Sequence, residues 1–209
     1  EWVAGVGAKI MKYDDHAQPD TFGIQMTTSG LSFNITHEDQ KFFCPSGGAV
    51  LYARRFVEHL MHTDGYFFDP DFFAYAEALD VGFRGLWYHF RFLQAPSALV
   101  YHKGSVSAKK QPSHFAMEHY LCNGLWVLVK NWTCEMWLRW GWRVVATRLA
   151  IIPLYLWRGA PGVPVRAYIR AVRGLPQVLA RRRVVQLHRS QAPSTIAKLH
   201  ATMSYRSPY

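Results

Sequence analysis

Hydrophobic residues gather in three short runs at 2–10, 47–52 and 97–102, each bounded by turn residues, and these read as strands. Between them the apolar positions shift to helical spacing near 53–63, and again in a short register from Phe72 to Arg84. The segment from Asp14 to Gln40 is polar and rich in Gly, Thr and Ser, which predicts long loops with room for a hairpin. Strands alternating with helices predict an α/β fold. Further on, Trp137, Trp140, Trp142 and Trp157 punctuate an apolar stretch interrupted by Arg139, Arg143 and Arg148. Its longest charge-free run, Leu149 to Trp157, is far short of the roughly 20 residues needed to span a bilayer. Between Pro164 and Arg183, Val165, Tyr168, Val172, Leu175 and Leu179 recur on one side of a helix, while Arg166, Arg170 and Arg173 line another. Gly174 and Pro176 predict a kink in its middle.

The stretch from Gly65 to Ser107 packs acids, aromatics, arginine and histidine into one ordered unit. It opens on an aromatic run holding Asp69 and Asp71, continues through Glu77, Asp80 and Arg84, and ends in a strand that delivers His102. Glu77, Asp80 and Arg84 stand three and four residues apart, so they share a helix face and can hold an ion, a sugar hydroxyl or one another. The pattern admits two readings. In one, the acidic helix start and the strand-end His102 aim at a common site. In the other, Glu77 and Arg84 form a surface ion pair worth little, and His102 is an ordinary strand-end histidine.

Composition adds one sharp division. The chain has 209 residues, half of them hydrophobic and 15% aromatic, enough apolar material for a core. Residues 1–138 hold 11 Lys and Arg against 14 Asp and Glu, whereas 139–209 hold 13 Lys and Arg and no acid, which together give the net +10. The change falls near Glu135. It suggests a domain over 1–135, a basic amphipathic region over 136–185 that lies on an anionic membrane surface, and a disordered tail over 186–209. A helix pair packed on its own domain is the alternative for the basic region. Arg181-Arg182-Arg183 has the charge to meet nucleic acid, but no reading motif accompanies it, so nucleic acid is not expected as a partner.

Other signals are weaker. Cys44, Cys122 and Cys134 are odd in number and lack Cys-x-x-Cys or zinc spacing, which argues against structural disulfides and for a reducing compartment. Asn34-Ile35-Thr36 and Asn131-Trp132-Thr133 match glycosylation acceptors by chance. His59 and His62 stand three apart on a helix surface and make a poor ligand pair. There is no internal repeat.

The order of these pieces resembles the second half of the catalytic domain of family 2, GT-A type glycosyltransferases, rhamnosyltransferase-like enzymes of cell-surface polysaccharide assembly in particular. Val3-Ala4-Gly5-Val6-Gly7-Ala8-Lys9-Ile10 is similar to the family's strand before a variable loop, and Cys44-Pro45-Ser46-Gly47-Gly48-Ala49-Val50-Leu51-Tyr52 to its small-residue loop and next strand. Glu77-Ala78-Leu79-Asp80, followed by Arg84, stands where the family has Glu-Asp-x-Asp. Ala98-Leu99-Val100-Tyr101-His102, with Lys103-Gly104-Ser105 behind it, is similar to the family's strand to a histidine. The resemblance covers about residues 1–135. It implies an α/β fold built as the C-terminal half of a GT-A domain followed by amphipathic helices.

It further implies transfer of a sugar from a nucleotide-sugar donor to a lipid-linked or polysaccharide acceptor, peripherally on the cytoplasmic face of the plasma membrane, with a divalent metal, Mg or Mn, as cofactor. The expected roles are Glu77 and Asp80 as catalytic carboxylates, Gly47, Gly48, Asp69 and Arg84 as substrate-binding residues, and His102 as the metal ligand. Arg84 is also expected to orient Asp80. Two departures stand out. Ala78 occupies the position of the family's usual base, and a methyl group takes no proton, so Glu77 or Asp80 substitutes or the protein is catalytically impaired. No Asp-x-Asp in a suitable context precedes the unit, so the chain is expected to be a fragment lacking most of its donor site, inactive by itself. The competing class is a degenerate glycosyltransferase remnant that binds a membrane or a partner through its basic end.

Overall fold

The first apolar run folds as one long strand, β1 (Trp2–Lys12), and its small residues decide what packs beside it. A Cβ on Gly5 would lie 3.0 Å from the Leu51 carbonyl oxygen, and one on Gly7 would lie 2.8 Å from the Pro45 Cβ. These glycines therefore admit the Pro45 loop and β5 (Val50–Tyr52), which pairs antiparallel with β1 at Gly5 to Gly7. Further along the same edge β2 (Pro19–Thr21) pairs antiparallel at Ile10 and Met11. The opposite edge carries β6 (Phe90–His102), parallel to β1 from Trp2 to Lys12. A hairpin of β3 (Ile24–Met26) and β4 (Ser32–Asn34) occupies the segment expected to be long loops with room for a hairpin. This computed structural model describes residues 2–37, 39–104 and 114–202, a mixed α/β fold with a mixed sheet. Ser105 of the histidine-strand motif and residues 203–209 of the expected tail lie outside the described residues.

Two helices lie between the parallel strands. α1 (Arg54–Asp64) buries Phe56 and Leu60, one turn apart, and stops at Gly65, whose φ of 84° is left-handed. α2 (Glu77–Trp87) is buried from Ala78 to Gly85 because β6 covers one side and α3 (Phe115–Asn131) the other. α3 also packs on α5 (Gly162–Arg173) and α6 (Leu175–His188), and α4 (Cys134–Trp157) packs on α5 and on α7 (Pro193–Ala197). The expected kink is the break between α5 and α6. A Cβ on Gly174 would lie 2.3 Å from the Trp126 ring, so the close approach of the two helices to α3 requires glycine there.

The compositional boundary near Glu135 is not a packing boundary. One apolar cluster joins Ala4, Phe43 and Trp87 to Trp132, Trp140, Val163, Val185 and Ile196. Several arginines of the basic region point inward rather than to solvent: Arg148 is buried and donates to the Gly30 carbonyl at 3.1 Å, and Arg182 donates to the carbonyls of Val129 and Trp132. The segment 186–202, expected as a disordered tail, is folded. Ser190 and Gln191 donate backbone N–H groups to the Trp87 carbonyl, and Ala201 donates to Met26 at 2.8 Å. Those backbone bonds and the buried Ile196 and His200 explain why a polar-looking end is ordered.

Candidate functional site

The approach to α2 is the most strained backbone among the described residues. Asp69 caps a turn of 3-10 helix over Pro70–Phe72, its Oδ1 accepting the Asp71 N–H at 3.1 Å. Phe73, Tyr75 and Ala76 then take φ values of 60°, 69° and 68°, in the left-handed region that costs a residue with a Cβ roughly 1–2 kcal/mol. Asn123 of α3, fully buried, offsets that cost. Its Nδ2 donates to the carbonyl oxygens of Phe72, Ala74 and Tyr75 at 3.0, 2.7 and 2.8 Å. The chain so held starts α2 abruptly at Glu77.

Glu77 lies against the two-glycine loop. A Cβ on Gly47 would lie 3.3 Å from the Ala78 Cβ and 3.9 Å from Glu77 Oε1, and one on Gly48 would lie 3.2 Å from Ile10 Cδ1. Glu77 Oε2 is buried with no hydrogen-bond partner among the described residues. A buried carboxylate oxygen with nothing to accept from is expensive, and such atoms concentrate where a ligand or reaction completes the set. The structure thus brings together Glu77, Gly47 and Gly48.

His102 stands at the same end of the sheet, since it pairs with Lys12, two residues beyond Ile10. Its Nδ1 lies 2.7 Å from Asp20 Oδ2, the two side chains meeting across β1 from β6 and β2. A carboxylate on one imidazole nitrogen leaves the other available, the usual arrangement around a histidine that works on something outside the protein. The open end of the parallel β1–β6 pair, beyond the strands' carboxyl ends, is where α/β sheets seat ligands. Among the described residues, however, no three His, Cys, Asp or Glu side chains gather as a metal set, so His102 and Asp20 supply part of one at most. His59 packs its ring on Tyr88 and Phe90, and it too belongs to no such set among the described residues.

Asp80, Asp69 and Arg84, expected to meet substrate, are instead the centre of a buried ionic network. Asp80 is fully buried. Its Oδ2 accepts from Arg84 Nε at 2.9 Å, and its Oδ1 from Asn131 Nδ2 at 3.0 Å and lies 2.7 Å from Lys130 Nζ. Lys130 Nζ reaches Asp69 Oδ2 at 2.6 Å, and Arg84 reaches Asp64 Oδ2 at 2.9 Å as well as the Tyr66 and Phe67 carbonyls. Arg181 closes the group onto Asp69 and Asp71. The spacing of Glu77, Asp80 and Arg84 does place them on related turns of one helix, yet α2 turns the last two toward α1 and α3. Burial alone would raise the Asp80 pKa, but the Lys130 and Arg84 charges and hydrogen bonds outweigh it and hold the carboxyl below its usual value. Neither Asp80 nor Asp69 has an oxygen to spare for an acceptor, and Arg84 orients Asp80.

Sequence reading missed Asn123, Lys130 and Asn131. The signal was present: polar side chains inside the apolar run Leu121–Trp132 have to be satisfied when that helix is buried. A cavity of about 280 Å³ lies between Gly7–Lys9 of β1, Gln94–Pro96 of β6, Phe22, Ile35 and Gln40, and none of the expected site residues lines it. Compared with protein-family models, curated proteins and solved structures, the chain matches none.

Proposed function

We propose that the chain is the acceptor-side part of a glycosyltransferase of the family 2, GT-A kind, moving a sugar from a nucleotide-sugar donor to a lipid-linked or polysaccharide hydroxyl at a membrane. The observation that carries this reading is Glu77: a carboxylate held by a strained turn against Gly47 and Gly48, with one buried oxygen lacking a partner, at the carboxyl end of a parallel strand pair. In this reading Glu77 accepts the proton of the acceptor hydroxyl as that oxygen bonds to the anomeric carbon. The bond from that carbon to the diphosphate breaks, and its electron pair leaves with the diphosphate. Gly47 and Gly48 leave room for the sugar to approach the backbone. In this reading His102, oriented by Asp20 at the same end of the sheet, would help to hold a divalent metal, which when bound would offset charge on the diphosphate.

With the chain joined to a donor-side half that supplies the nucleotide site, a panel of nucleotide-sugar donors with hydroxyl acceptors, read by release of nucleoside diphosphate, tests the reading. Glu77→Gln should lower turnover by about 10²–10⁴-fold, the usual contribution of a positioned base. An unchanged rate in that variant would sink the assignment. Ala78 favours a second reading, a degenerate remnant without turnover, because its buried methyl stands 3.3 Å from the Gly47 Cβ position, where an acidic side chain would meet the loop. Under that reading no donor is turned over, while donor or acceptor still binds beside Glu77.

A further inference from the structure

The outward surface of α4 is apolar for most of its length. From Val144 to Trp157 every exposed side chain is hydrophobic, and the one charged residue of that stretch, Arg148, is buried against Gly30. Just before it, Arg143 turns aside to donate to Thr28 Oγ1 at 3.0 Å. Leu138, Trp142, Val145, Leu149, Ile152 and Leu156 follow one another at steps of four and three, so they form a single stripe. At 1.5 Å per residue that stripe is about 27 Å long. It is well exposed: Leu138 at 87%, Trp142 at 65%, and Trp157 at its end at 84%. A contiguous apolar surface of that extent marks an interaction site.

Charge decides what covers it. Exposed Arg139 adjoins Leu138 at one end, and exposed Arg158 adjoins Trp157 at the other. The stripe itself carries no acid, and exposed Glu135 stands at one end of α4 only, against exposed Arg139 and Arg158, so the same face of a second copy would meet a net excess of like charge. Anionic headgroups supply the missing sign. Tryptophan near both ends of the stripe also suits the bilayer–water boundary, where an apolar ring and a polar N–H are both accommodated. No described helix is long and apolar enough to cross a membrane, and the opposite side of α4, at Met136, Trp140, Val144 and Tyr155, is part of the protein core. The helix therefore has one face to give.

We propose that α4 docks lengthwise on a bilayer rich in anionic lipid, its stripe entering the headgroup boundary and Arg139 and Arg158 meeting lipid phosphates. This differs from the surface suggested by the sequence of α5. There Arg166 is engaged by Glu118 and Arg170 by His119, and the Tyr168 hydroxyl donates to the Arg148 carbonyl. The docking deepens the transfer reading, which it needs for its purpose: a lipid-linked acceptor presents its hydroxyl at such a surface.

Co-sedimentation of the full chain with vesicles, without sugar nucleotide, tests it. Binding should be strong to phosphatidylcholine–phosphatidylglycerol vesicles and at least about tenfold weaker to phosphatidylcholine alone. Leu149→Ser/Leu156→Ser/Trp157→Ser should lower binding by about tenfold or more, including the part that survives high salt, while Arg139→Gln/Arg158→Gln should remove only the salt-sensitive part. Lipid brominated near the headgroup should quench tryptophan fluorescence in the wild type and less so in Trp142→Phe/Trp157→Phe, a conservative pair that keeps the fold. Absence of binding to both vesicles, absence of quenching, or a concentration-dependent dimer that the serine variant dissolves would each overturn the proposal. None of these outcomes bears on the Glu77 assay with a soluble acceptor, so the two readings fail separately.

Discussion

His200 is enclosed by the rings of Phe43, Phe83, Trp132 and Trp140. Its Nδ1 lies 3.0 Å from the Ile196 carbonyl, so that nitrogen carries the proton, and Nε2 is buried without a partner among the described residues. Burial, against a smaller contribution from the Ile196 bond, pushes its pKa down to about 4. Because the folded value lies below the ordinary 6.5, the unfolded chain binds the extra proton first as pH falls. Stability should therefore be full above about pH 6.5 and decline from there to about pH 4, by up to roughly 3 kcal/mol. Urea denaturation at a series of pH values checks this: His200→Gln should flatten that part of the profile, and a profile that stays steep would refute the assignment. Glu77 could be picked out from its place in a motif, but what makes it stand apart from Asp80, the unpartnered oxygen beside Gly47, depends on a loop thirty residues earlier and is invisible to spacing.

At the scale of elements, the local signals were legible and the long-range ones were not. Helix α1 and the start of β1 follow the apolar periodicity closely, and Gly174 marks the break between α5 and α6 as its type suggests. β6 begins seven residues before the expected 97–102, because Pro96 reads as a strand breaker. The strand passes through it by a bulge: Ala95 pairs with Ala8 and Leu99 with Lys9, which leaves 96–98 out of the ladder, where a missing N–H costs nothing. The helical register expected from Phe72 begins only at Glu77, since the carbonyls of 72, 74 and 75 are drawn onto Asn123, some fifty residues away. α3 also carries Lys130, and the energetics of the network follow from it. Replacing one partner of a buried ionic group leaves charge uncompensated, so Lys130→Met should cost about 3–5 kcal/mol, read as a lowered urea midpoint. Adding Asp69→Leu should return part of that loss, because it removes a carboxylate that no longer has Lys130. A loss below about 1 kcal/mol would show that Arg84, Arg181 and Asn131 suffice.

For the molecule as a whole, composition told of a division that packing erases. The excess of arginine beyond Glu135 was legible, but its use was not: Arg148, Arg181 and Arg182 bind the body of the fold, while the face left bare is the one that α4 turns outward. The sheet has a bare side of its own. Among the described residues β6 pairs with β1 alone, so its other edge offers backbone groups to no strand. In a parallel ladder alternate residues face opposite neighbours, which divides the β6 amides into two classes. Hydrogen–deuterium exchange should therefore alternate along 90–102, slow where the N–H meets β1 and fast where it meets solvent, with the rhythm broken at the 96–98 bulge. Uniform protection along the strand would mean that a further strand lies against it, for which this edge has both the length and the register. A 13-residue strand half satisfied is a seam along which this chain can be joined.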